Sequence, residues 1–137
     1  MSSLADSAQQ LVQDIHMTLI SAPLIGAVLG DPPRIYDDVP EDPTYPYLTY
    51  GTVRSEDRNA DGGGERIAHQ ISFHIWSRGA GRREILELLD RVQSVLEAGL
   101  SHAIVPLYAD VFAAGRGGQV TPNTRHGLLR LSIITES

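Results

Sequence analysis

The chain has 137 residues, 42% of them hydrophobic, with 17 acidic against 11 basic side chains and a net charge of −6. It has no cysteine and no lysine, which excludes disulfides, thiolate nucleophiles, Cys-based zinc sites, Schiff-base chemistry and a phosphate-loop lysine. The acidic balance argues against sequence-independent binding to a phosphate backbone, and the length suffices to bury a core as one domain, residues 1–137.

Leu4 to Met17 reads as a helix, with Leu4, Ala8, Leu11, Val12 and Ile15 on one stripe that continues to Leu19. Ser2 or Ser3 is placed to cap it, and Asp6 suits its first turn. His16 sits among polar neighbours and reads as a surface residue. Pro23 begins a short second helix that stops at Gly30, with one long bent helix as the alternative. Asp31-Pro32-Pro33 breaks the chain. Arg34 to Tyr36 is a short strand, followed by the acidic loop DDVPEDPTYP, stiffened by Pro40, Pro43 and Pro46. Tyr47 to Arg54 alternates as a strand. Ser55 to Glu65 is a polar connection containing Gly62 to Gly64, which makes a hairpin with the next strand.

That next strand organises the rest. Ile67, His69, Ile71, Phe73 and Ile75 share one face, opposite Ala68, Gln70, Ser72, His74 and Trp76. After Ser77 to Gly81 the period becomes helical. Ile85, Leu88, Leu89, Val92, Val95 and Leu96 form one stripe, Arg83, Glu87 and Arg91 stand four apart on the other side, and Gly99 suits an αL stop. The strand and helix pack on each other as the core unit. Ile104 to Ala114 is a strand or two short pieces, Gly115 to Gly118 a turn, and Thr124 to Thr135 a strand with Leu129, Leu131 and Ile133 inward. The fold class is therefore α+β: an antiparallel sheet of four or five strands with two or three helices packed on one face.

Motifs for chemistry fail one by one. Of the five histidines, His69 and His74 point to opposite faces of their strand, and no HExxH spacing occurs, so no metal site is expected. Asp57 to Gly62 matches half an EF-hand loop, but the position of its bidentate Glu is held by Ala68, and the flanks are strands. Neither glycine cluster fits a nucleotide-binding turn, and no Gly-x-Ser-x-Gly elbow is present. The acidic loop gives a weak hydrolase alternative. No catalytic residue, metal ligand or cofactor is assigned. The longest apolar runs fall short of a membrane span and the N-terminus lacks signal-peptide character, so a soluble chain made in the cytoplasm is expected.

One set of residues is unexplained by the fold. Arg78, Arg82 and Arg83 cluster where the central helix begins, the end at which the helix dipole disfavours positive charge. Asp37, Asp38, Glu41 and Asp42 offer a complementary surface. Between neighbouring subunits, Arg–carboxylate pairs of these groups would set a ring's register, with Trp76 as an anchor.

Three blocks, RIYDDVPEDPTYPYLTYG at 34–51, HQISFHIWSRGAGRREILELLDRVQSVL at 69–96 and TRHGLLRLSI at 124–133, resemble the tail-completion (tail-terminator) proteins of long-tailed bacteriophages, prophages and gene transfer agents. The matching features are Ile35-Tyr36-Asp37, Pro46-Tyr47, Gly51, Trp76-Ser77-Arg78, Gly81 and Thr124-Arg125-His126. The resemblance implies a non-enzymatic structural protein of the virion tail, assembled in the host bacterial cytoplasm. It implies a homohexameric ring that caps the tail tube, docks to the head connector or stopper protein and lets DNA pass through its lumen, with no membrane partner. A small adaptor domain, monomeric or dimeric, is the alternative reading.

Overall fold

A computed structural model describes residues 3–59, 65–79, 81–116 and 119–136, with the backbone alone at 114–116 and 119–123. In chain order the elements are α1 (Leu4–Ile20), α2 (Pro23–Leu29), β1 (Ile35–Tyr36), β2 (Tyr47–Asp57), β3 (Arg66–Ser77), α3 (Arg83–Gly99), β4 (Ala103–Arg116) and β5 (Gln119–Glu136). The strands form one five-stranded sheet in the order β1-β2-β3-β5-β4. The β2–β3, β3–β5 and β5–β4 pairs are antiparallel, as the alternating patterns imply. The expectation of a wholly antiparallel sheet needs one correction: β1 runs parallel to β2, with Ile35 opposite Leu48 and Tyr36 opposite Thr49. The acidic loop carries the chain back to the start of the sheet, so no hairpin joins these two strands.

The inward face of β3 is the one its alternation marks. Ile67, His69, Ile71, Phe73 and Ile75 are all buried, and Ile85, Leu88, Leu89, Val92 and Leu96 of α3 are buried against the same core. Leu11, Ile15 and Leu19 of α1, Ile25 and Leu29 of α2, and Leu129, Leu131 and Ile133 of β5 complete it. Each such side chain contributes about 1.5–3 kcal/mol by leaving water, so this single layer of contacts dominates stability. β4 is one continuous strand with register shifts at Pro106/Tyr108 and Ala113/Gly115, which is why its sequence reads equally well as two pieces.

Local signals are mostly obeyed. α1 is capped by Ser3, whose Oγ accepts the Asp6 N–H at 3.0 Å, and α2 starts at Pro23 and ends at Gly30. Substituting Ser3→Ala leaves one orphan donor and is expected to cost about 1 kcal/mol in urea unfolding; an unchanged midpoint would show the cap idle. Two expectations are corrected. Gly99 is the last helical residue, with Leu100 as cap, and its missing side chain makes room for Thr18 of α1. His16 is half-buried and its Nδ1 hydrogen-bonds the Tyr50 hydroxyl at 2.9 Å, so it is part of the α1–β2 contact.

Candidate subunit and partner interface

The helices cover one face of the sheet, and the opposite face is crossed at one end by a row of rings. Register sets Trp76 of β3 beside Tyr47 of β2 and His126 of β5, and His126 beside Phe112 of β4. Trp76 and His126 stack at 3.9 Å with planes 15° apart, Phe112 lies 4.5 Å from His126, and Tyr47 lies 6.4 Å from Trp76. His74 adds to the row: its Nδ1 is 2.6 Å from His126 Nε2, so one ring must donate its N–H to the other's lone pair. Burial, followed by the nearby His74, pushes the His126 pKa down to about 4. Burial lowers that of His74 as well. Both rings are therefore neutral at pH 7.

The row fixes the base of the acidic loop. Tyr45 packs 5.1 Å from Tyr47, and the Arg78 guanidinium lies 4.2 Å above the Tyr45 ring while its Nε donates to Thr124 Oγ1 at 3.2 Å. Trp76 and Arg78 thus help hold the loop in place, and Arg78 remains exposed while Trp76 is half-buried. The loop's own acids stay outside. Asp37, Asp38, Glu41 and Asp42 are all exposed, and among the described residues none forms a salt bridge. Asp42 adopts φ 52°, a turn conformation that Asp tolerates better than most residues.

The arginines at the start of α3 divide. Arg83 pairs with Glu87 at 3.0 Å, as its spacing implies, but this pair is exposed and stabilises by only a few tenths of a kcal/mol. Arg82 is the cap residue, and it offers the helix no side-chain acceptor. It lines a groove of about 420 Å³ between α3 and β4 together with Leu86, Val111, Phe112 and Arg125. Arg125 entered the sequence reading only within the Thr124-Arg125-His126 block, and neither it nor Phe112 was expected at the interface. The signal available was the apolar run at 104–112, where Val105, Leu107, Tyr108 and Phe112 are now found exposed on an edge strand.

His69 is buried with Nδ1 2.7 Å from Ser55 Oγ and Nε2 3.0 Å from Thr135 Oγ1, a ring satisfied on both sides by hydroxyls. Among the described residues no three potential ligands converge. In the half EF-hand, Asp57 Oδ1 accepts the Asn59 N–H at 2.8 Å and Asn59 Oδ1 accepts that of Arg66, so both side chains close the turn; Ala60 to Gly62 lie outside the described residues. No helix is long and apolar enough to cross a membrane.

The chain is thus a two-layer α+β domain with exposed apolar groups along its edge strand β4 and an acidic loop whose carboxylates form no salt bridge among the described residues. A family model described as tail completion protein gp17 matches residues 6–136, and the chain belongs to that family, whose members are structural proteins of phage tails. Among solved structures, a chain of the virion of a native gene transfer agent (GTA) particle has the same fold, with a TM-score of 0.71 and 17% identity over 100% of both chains. No curated protein gives a significant match.

Proposed function

We propose that this chain is a tail terminator: six copies form a ring that caps the finished tail tube, stops its growth and presents a surface to the head connector or stopper protein. The observation that supports this most directly is an open edge strand, β4, exposing Val105, Leu107, Tyr108 and Phe112 in a member of a tail-completion family. A free edge with large apolar groups is an aggregation hazard unless an assembly covers it. The remaining expectations join this reading: the acidic loop contacts a neighbouring copy, the chain acts without catalysis, and assembly takes place in the host cytoplasm. Six copies at −6 each would total −36, and a lumen bearing part of that charge lets DNA slide through without adhering.

Native mass spectrometry and negative-stain imaging, with the chain free and mixed with tail-tube protein, test the proposal. Six-membered rings in either sample are the expected result. A chain that stays single in both would sink it.

A further inference from the structure

We infer that the groove between α3 and β4 receives the acidic loop, residues 37–42, of a second copy of this chain. The inference rests on the ring reading for closure into six, and not for the contact itself.

The groove has the features of a carboxylate receptor. Arg83 is already matched by Glu87 and Arg78 is held over Tyr45, whereas Arg82 and Arg125 form no ion pair among the described residues. Arg125 Nε is buried with no hydrogen-bond partner among them, a donor stranded away from water. Leaving such a group unmatched is costly, and a nearby anion would repay it. Leu86, 49% exposed, and Val111 add an apolar wall beside the two guanidinium groups.

The loop carries the complementary pattern. Asp37, Asp38, Glu41 and Asp42 flank Val39, which is 43% exposed and matches the apolar wall as the acids match the arginines. Pro40 and Pro43 fix part of its backbone, which lowers the ordering cost of docking. Within one chain the contact is not made: among the described residues no acid of the loop pairs with Arg82 or Arg125. The loop leaves β1 at one edge of the sheet and the groove borders β4 at the other, so a second copy can bring the two together. Complementary patches on opposite edges join head to tail, and such contacts make a ring when the rotation between copies closes and an open chain when it does not.

Charge exchange tests this. One variant makes the groove acidic, Arg82→Glu with Arg125→Glu; the other makes the loop less acidic and more basic, Asp38→Arg with Glu41→Arg. Arg82→Glu alone, at an exposed site, and far-UV circular dichroism separate loss of contact from loss of fold. By native mass spectrometry and sedimentation at low salt, each folded variant alone is expected to associate at least 10-fold more weakly than wild type. An equimolar mixture is expected to recover association, because in alternating order the unchanged acidic loop meets the unchanged arginine groove and the introduced arginines meet the introduced glutamates. Folded variants that associate like wild type, or stay single when mixed, overturn the inference. So does a wild type that remains single at every concentration, including one whose groove instead takes an acidic segment of a tail partner. Wild-type rings indifferent to these charges would remove the inference and leave the ring; charge-dependent open chains would do the reverse.

Discussion

Gly127→Val is expected to destabilise the domain by about 3 kcal/mol, at the upper end of typical overpacking costs. Gly127 lies on β5 between Ile75 of β3 and Val111 of β4, on the face that carries α3. A Cβ there would overlap Ile85 Cγ2 and come within 3.4 Å of Leu89 Cδ1. Ile85 is fully buried and β-branched, so its side chain has no alternative rotamer into solvent. The helix would have to lift, and the contacts of Leu88, Val92 and Leu96 would loosen together. Urea unfolding should show the midpoint falling sharply, and thermal unfolding a Tm lower by about 10 °C. Adding Ile85→Ala to Gly127→Val should recover part of the loss, since the two positions share one space. A Gly127→Val chain as stable as wild type would mean that α3 does not rest on β5 here.

The same helix shows what the sequence could and could not reveal. Alternation over Ile67–Ile75 and the stripe over Ile85–Leu96 each follow from the local geometry of one element, and both faces are found where the pattern places them. Gly127 carries no such mark, because its constraint comes from a helix more than twenty residues earlier in the chain. Strand direction is equally silent: Ile35-Tyr36 is too short for its pattern to distinguish parallel from antiparallel pairing, and β1 turns out parallel. His126 beside Trp76 depends on β5 inserting next to β3, a choice of strand order that spacing alone does not encode. For the candidate interface, the acidic loop and Arg82 were legible as charge without an obvious partner. Trp76 and Arg78 looked similar in sequence, and long-range contacts with Tyr47, His126 and Tyr45 also engage them. Arg125 becomes visible only when β5 brings it beneath the start of α3.

This division bears on assembly. The aromatic row holds the loop's base through Tyr45 and Tyr47, while the helix layer holds Arg82 in the groove at the other edge. Both halves of the inferred contact are therefore mounted on rigid elements, which favours a defined register over a flexible tether.

Acid should unfasten the row. His126 has its pKa lowered from 6.5 to about 4, and His74 and His69 are lowered as well, so all three prefer the neutral form in the folded chain. The unfolded chain binds protons more readily, near pH 6.5. Stability from these rings is thus fully present above about pH 6.5, and it declines as pH falls toward the folded value of about 4 for His126. The fall from 6.5 to about 4 corresponds to about 3.5 kcal/mol, which solvent screening at this half-buried site reduces to about 2 kcal/mol. The ring contacts of His126 are His74, Trp76 and Phe112, and none of them supplies a negative charge. Asp110, the next outward register position on β4 opposite Leu128, is not among the charges acting on it. A first proton can settle on the donor ring's other nitrogen and leave the His74–His126 hydrogen bond in place, whereas a second removes the accepting lone pair and sets two cations in contact. Urea unfolding at pH 8, 6.5, 5 and 4 should therefore show stability level at the first two values and falling across the last two. His126→Phe, which keeps a ring in the row, should flatten most of that slope and leave the smaller part due to His74 and His69. A slope the same in His126→Phe as in wild type would place the acid sensitivity elsewhere.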